Sequence, residues 1–437
     1  MLIIPRRTES QEGRAILHSL KDRFQQADSS CRKTVEEIIA AVRSRGDEAL
    51  LRYTRNFDSP VLTLDRLKVS VAELEQAPQG VAPEFLKALD LAADRIHNFH
   101  DKEKEQSWIM TREDGTITGR LVRQVASAGL YVPGGQGGMT PLVSSVLMNG
   151  IPAAIAGVPR RVMVTPPDRQ GNINPALLVA ALKVGITEIY KTGSAWAIAA
   201  LAYGTESIAP VDVIVGPGNQ YVTEAKRQVS GRVRIDMIAG PSEVLIIADR
   251  SARPACVAAD MLAQAEHDPQ ALAMLICTDE SVAQQTLHEL EQQLSHLDRQ
   301  DIARKSLVDR GVMLIAGTLD EALQQANSIA AEHLELMIEN PFLHLAKIHH
   351  AGAIFLGNNT PEAAGDYVAG PNHVLPTMGT ARFSSALGVE TFIKKSSLIS
   401  YSREALLADA DHIRMLANLE GLTAHANSVA VRTKENN

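Results

Sequence analysis

Residues 161–219 read RVMVTPPDRQGNINPALLVAALKVGITEIYKTGSAWAIAALAYGTESIAPVDVIVGPGN, and their alternation decides the fold. Three short apolar runs, RVMVTPP (161–167), EIYKTGS (188–194) and DVIVGPGN (212–219), each break off in a turn of Gly, Pro, Ser or Thr. Between them lie two longer apolar stretches, NPALLVAALKVG (174–185) and AWAIAALAYG (195–204). Brief strands alternating with helices of that length mean βαβ units and a parallel sheet. GLYVPGG (129–135) has the same strand-and-turn form, and RIDMIAGPSEV (234–244) repeats it after the helix YVTEAKRQVSG (221–231). Ligands of open parallel sheets lie beyond the carboxyl ends of the strands, so these turns are the expected binding edge.

A second alternation follows downstream. SEVLIIAD (242–249), ALAMLICTD (271–279), VMLIAG (312–317) and GAIFLGN (352–358) read as strands. ACVAADMLAQAEH (255–267), SVAQQTLHELEQQLSHL (281–297) and TLDEALQQANSIAAEH (318–333) read as helices. Upstream, TVEEIIAAVRSRGDEALLRYTRNF (34–57) and PEFLKALDLAADRIHNFHDKEKE (83–105) carry apolar residues at helical intervals. The strand signal fades after about residue 387, and REALLADADHIRMLANLEGLTAH (403–425) reads as helical. The expected class is therefore α/β: two open, largely parallel-sheet globules of incomplete Rossmann type, with small helical N- and C-terminal pieces. The division is an N-terminal helical arm (1–24), a first α/β domain from 25–131 and 243–386, a second from 132–242, and a helical C-terminal piece (387–437).

Composition narrows the class of function. The 437 residues are 45% apolar and carry a net charge of −8, which gives no reason to expect nucleic acid or an anionic membrane as partner. Three unclustered cysteines exclude a disulfide framework and a CxxC zinc site. MLIIPRRTES does not read as a secretory signal, and no apolar run is long enough for a membrane span. A soluble protein of a reducing compartment is expected.

The candidate chemistry is unevenly placed. Of 13 histidines none lies between His100 and His267, so the Gly-rich strand ends of the middle region bring no imidazole. That region offers backbone amides instead. GPGN (216–219) ends a strand and opens a helix, an arrangement that suits an anion and equally an ordinary turn. No GxGxxG follows any of these strands, and Tyr131 is placed where it can lie against a base or ribose. Further on, Gln264 and His267 sit three apart on one helical face, as a metal-binding pair or as a helix-end cap. Asp366 lies in a turn-rich segment seven residues before His373, and His425 closes LEGLTAH. Glu332 and His333 are neighbours; they share a cleft as an acid–base pair only at a helix-to-strand boundary, and otherwise make a surface salt link.

Nine segments together resemble the histidinol dehydrogenase family in order and spacing. They are YVPGG, SSVLMNGIPA, AIAALAYGTESI, VGPGNQYVTEAKRQV, DMIAGPSEVLIIAD, DMLAQAEHDP, AAEHLELM, GDYVAGPNHVLPT and LEGLTAH, and the likeness runs from about residue 30 to 432. The resemblance implies a zinc-dependent enzyme that oxidises L-histidinol through L-histidinaldehyde to L-histidine with two NAD and one water. It implies a cytoplasmic homodimer with shared active sites and a C-terminal domain exchanged between subunits. By motif match, Gln264, His267, Asp366 and His425 are the implied zinc ligands, one ion per subunit, and Glu332 and His333 the acid–base pair. Ser242, His373 and Glu420 are implied substrate contacts, with Gln264, His267, His333, Asp366 and His425 also facing the substrate. Tyr131 and Asn219 line the implied NAD site, together with Trp196. Glu420 and His425 come from the partner subunit.

Two features depart from the family pattern. Trp196 stands where most members carry a Gln that contacts the cofactor, and the loop after Gly135 is about three residues longer than the common form. Both point to weaker NAD binding. The nearest alternative is a paralogue oxidising another small alcohol, against which Ser242, His373 and Glu420 all speak. A metal-dependent hydrolase, with Glu332 activating water and no nucleotide, and a catalytically silent metal-binding protein are the rivals from other classes.

Overall fold

The computed structural model describes residues 2–23, 29–134 and 140–434. The chain divides into two units, one of residues 1–103 and 126–392 and one of 104–125 and 393–437.

The larger unit holds two all-parallel sheets. The first has the order β6 (Glu188–Lys191), β5 (Arg160–Thr165), β4 (Ser127–Tyr131), β7 (Val213–Val215), β8 (Arg234–Ile235). Chain order therefore runs outward in one direction from β4 and then in the other from β7. The switch between them is where doubly wound sheets open a crevice. The second sheet repeats the plan: β11 (Val312–Ile315), β10 (Leu272–Cys277) and β9 (Glu243–Ala248) in one direction, β12 (His333–Met337) and β13 (Ala353–Leu356) in the other. β1 (Arg6–Arg7) adds an outer strand beside β11. The α/β expectation holds in both. The central strands β4, β9, β10 and β12 are wholly buried, as near-continuous apolar runs covered on both faces should be.

The expected domain division needs correction at three points. The described residues of 25–131 do not join the second sheet. The helix Ser29–Phe57 packs on the helices Ser194–Tyr203 and Gln220–Val229 of the first, and β4 is that sheet's middle strand. The apolar face of an amphipathic helix does not say which sheet it will cover. Second, the arm is not purely helical: β1 pairs with β11, and the helix Gln11–Lys21 packs against Leu319–Ile329. Third, the C-terminal piece is not purely helical. In the smaller unit β14 (Ile393–Ser400) pairs antiparallel with β3 (Ile117–Gln124), which pairs with β2 (Trp108–Thr111). β14 reads IKKSSLIS with one buried residue, and so lacks the alternation by which strands are read. The helices Arg403–Leu419 and Thr423–Thr433 pack on each other in the same unit. Among the described residues no helix is long and apolar enough to cross a membrane.

Candidate active site

Chain connectivity keeps the carboxyl edge of the first sheet close to the amino edge of the second. β8 ends at Ile235 at the carboxyl edge of the first sheet, and β9 begins at Glu243 at the amino edge of the second. Only residues 236–242 lie between, so these two strand ends are within roughly 29 Å by chain length alone.

At the carboxyl edge of the first sheet the GPGN turn is locked in place. Asp236 accepts the Gly216 N–H at 2.8 Å, Lys226 donates to the Gly216 carbonyl at 2.8 Å, and the two side chains form a buried ion pair. Gly216 has φ +115°, and a Cβ there would lie 2.1 Å from the Tyr131 carbonyl oxygen, so only glycine fits. Asn219 caps the helix Gln220–Val229, its Oδ1 accepting from Tyr221 and Val222 N–H. Tyr131 is buried at the end of β4, and its hydroxyl accepts the Ser194 N–H at 3.2 Å. Burial pushes its pKa above the usual phenol range.

Trp196, also expected beside the cofactor, lies in the first turn of the helix Ser194–Tyr203. It is 4% exposed and stacks on Tyr53 and Phe57 of the helix Ser29–Phe57, with centroids 5.7 and 5.4 Å away. These contacts make Trp196 a packing residue between two helices, and its indole Nε1 has no hydrogen-bond partner among the described residues. The longer loop after Gly135 falls on 135–139, outside the described residues.

At the amino edge of the second sheet the helix Leu319–Ile329 stops at Ala330, which takes a left-handed conformation at φ +52°. Glu332 follows just before β12, whose first residue is His333. This is the element boundary at which adjacent side chains can converge, and both turn to one partner. The Glu243 N–H donates to Glu332 Oε2 at 2.8 Å, and His333 Nδ1 donates to the Glu243 carbonyl at 3.0 Å. With Nδ1 carrying the proton, Nε2 is the free base. Both residues are buried, at 5% and 4% exposure. Burial drives the two pKa values in opposite directions. It raises Glu332 well above the usual carboxylate range, partly offset by the Glu243 N–H, while Glu243, Glu362 and Asp366 push it further up. It lowers His333 to about 4, against the opposing pull of Asp366 and the Glu243 carbonyl.

Beside them lie the remaining nitrogen and oxygen donors. His267, Glu362 and Asp366 bring one ligand atom each to within 4.8 Å of one another. Gln264 is fully buried, and neither its Oε1 nor its Nε2 has a hydrogen-bond partner among the described residues. An amide in that condition is costly unless something else takes its oxygen. An orphaned amide oxygen on the helical turn that leads into His267 suits a divalent cation with nitrogen and oxygen ligands. His373 donates from Nδ1 to the Asp366 carbonyl at 3.1 Å, and Ser242 is half-buried directly before Glu243. Glu420 and His425 belong to the smaller unit. Glu420 is exposed where the helix Arg403–Leu419 ends, and His425 is exposed in the helix Thr423–Thr433.

Sequence reasoning missed Glu362 and Glu243. Glu362 is 2% exposed, with Oε1 3.8 Å from His333 Nδ1. Its only signal was the four-residue spacing to Asp366, one turn of the helix Glu362–Tyr367. Glu243 gave none, standing at the head of an apolar strand.

The chain matches a family model described as histidinol dehydrogenase over residues 21–433. It is 66% identical to a histidinol dehydrogenase of Desulfotalea psychrophila, covering 99% of this chain and 100% of the relative. It is 54% identical to one from Nitratidesulfovibrio vulgaris, covering 93% and 94%. A crystal structure of histidinol dehydrogenase from Elizabethkingia anophelis superposes with a TM-score of 0.91 at 39% identity, covering 98% of this chain and 97% of that one.

Proposed function

The chain belongs to the histidinol dehydrogenase family, and from that premise we propose that it oxidises L-histidinol through L-histidinaldehyde to L-histidine, with Glu332 and His333 moving the protons. The observation that carries the residue roles is the shared anchorage of that pair on Glu243.

His333 is neutral at pH 7, the form that accepts a proton, and its fixed Nδ1–H leaves Nε2 to take the hydroxyl proton of the alcohol. NAD supplies the hydride acceptor for each of the two oxidations. The aldehyde is then hydrated, and Glu332 deprotonates the attacking water; a carboxylate made more basic by burial suits that task near neutrality. Oxidation of the hydrate gives the carboxylate and releases the second proton through His333. Gln264, His267 and Asp366, with His425 of a second subunit, would hold zinc, which supplies a fixed positive charge that grips the amino-imidazole substrate. Glu362 stands among these donors. His373, Ser242 and Glu420 orient the substrate, and Tyr131 and Asn219 line the dinucleotide's side. A cytoplasmic homodimer with shared sites accommodates Glu420 and His425, which are exposed in their own unit.

Histidinol incubated with NAD, before and after chelation, tests the reading. NADH should appear with histidine as product and cease when metal is removed. Turnover of another alcohol in preference would favour a paralogous substrate, and hydrolysis without NADH would overturn the reading.

A further inference from the structure

Four elements of the larger unit meet at one buried ion pair that no catalytic step uses. Arg23 follows the helix Gln11–Lys21, and Glu243 opens β9; their side chains are 6% and 3% exposed. The contact is bidentate, Nε to Oε1 at 2.8 Å and Nη2 to Oε2 at 2.6 Å. Arg23 Nη1 donates to the carbonyls of Leu20 and Ile329, the latter at 2.8 Å, and Glu243 Oε1 accepts the Met378 N–H at 2.9 Å. The pair therefore ties the arm, the end of the helix before Glu332, the start of β9 and the segment around Met378 to one point.

Burying two charges is expensive, and an apolar pair of similar volume often serves stability as well. What an apolar pair cannot supply is direction: a guanidinium fork fixes its carboxylate in a plane and at an angle. The residue so fixed is the one whose N–H holds Glu332 and whose carbonyl holds His333. The Ile329 carbonyl, three residues before Glu332, is held by the same guanidinium. Both sides of the acid–base site are thus referred to one rigid group.

We propose that Arg23 and Glu243 are positioning residues: their ion pair fixes the Glu243 backbone from which Glu332 and His333 both take their orientation. This rests on the reading of Glu332 and His333 as the acid–base pair. It gives the N-terminal arm a part in the reaction without contact to substrate.

Arg23→Lys keeps the charge and removes the fork; Glu243→Gln keeps the shape and an acceptor for Met378 while removing the charge. Both are made in the full-length enzyme, with zinc content, melting temperature and steady-state constants measured. For each, kcat per folded, zinc-loaded subunit should fall about 10- to 100-fold, as small misplacements of catalytic groups do. KM for histidinol and for NAD should stay within about two-fold of the parent. A lower melting temperature with unchanged kcat per folded subunit in either variant would overturn the proposal, since a merely structural pair predicts that result. If Arg23→Lys does not fold, Glu243→Gln decides. Glu332→Gln and His333→Asn, measured alongside, separate the two levels. Full turnover in those variants would sink the acid–base reading itself. Their loss of turnover beside intact Arg23→Lys and Glu243→Gln enzymes would sink the positioning role alone.

Discussion

Glu332 and His333 converge because the chain leaves a left-handed Ala330 and enters β12 between them, so neither the 100° step of a helix nor the alternation of a strand separates the two. The division of labour proposed for them makes a prediction. Glu332→Gln keeps a group that can accept from Glu243 N–H but cannot take a proton, so hydration of the aldehyde should slow more than the first oxidation. Single-turnover NADH traces should show a near-normal first phase and a second slowed about 10²-fold or more. Slowing confined to the first phase would contradict the role. This much was legible from sequence, because a helical run changing to a strand-like one marks such a boundary. Glu243 and Glu362 were not, since their partners lie 89 and 29 residues away along the chain and only the folded sheet brings them together. Asp58 shows another residue-level effect that spacing cannot reveal. Burial pushes its carboxyl up to about 7, with the Gly193 N–H pulling it back. The fold therefore favours the protonated form. The stabilisation is complete below about pH 4 and is lost as pH rises through about 7. Asp58→Asn should gain roughly 2–3 kcal/mol more at pH 8 than at pH 5 in urea unfolding, and an equal effect at both pH values would refute it.

At the scale of elements, strands β4 to β13 and most of their helices were readable because buried strands are continuous apolar runs bounded by turn residues. β1, β2, β3 and β14 were not. β1 is two arginines, β14 is mostly exposed, and neither β2 nor β3 has a buried residue. Their pairing is set by backbone partners that no local pattern announces. The proposed site draws on opposite edges of the two sheets. Its dinucleotide side would use the carboxyl ends of the first, as open parallel sheets do, whereas its acid–base side would use the amino ends of β9 and β12 in the second, because Glu243 and His333 open those strands. Trp196 belongs at this scale as well. It joins the helix Ser194–Tyr203 to Ser29–Phe57 through stacked rings. Trp196→Ala should cost about 3–5 kcal/mol of stability in denaturant titrations, with zinc content retained in the folded fraction. A change in NAD affinity with unaltered stability would instead return Trp196 to the cofactor site.

For the whole molecule, the proposed sharing of sites is open to a complementation test. Subunits carrying Glu332→Gln/His333→Asn and subunits carrying His425→Ala should each be inactive alone. Refolded together, a random mixture should recover about a quarter of parental activity, because half the dimers are mixed and each holds one intact site. No recovery in demonstrated heterodimers would place every site within one chain.

The smaller unit is assembled from stretches that the ribosome releases far apart in time. β2 and β3 emerge early, but the second edge of β3 has no partner until Ile393–Ser400 is made. At about 5–20 residues per second that interval is roughly 13–55 s, during which a row of backbone donors and acceptors stands open to any passing strand. Translation speed, and whatever shields a nascent hairpin, therefore bears on the yield of this protein more than on its final architecture.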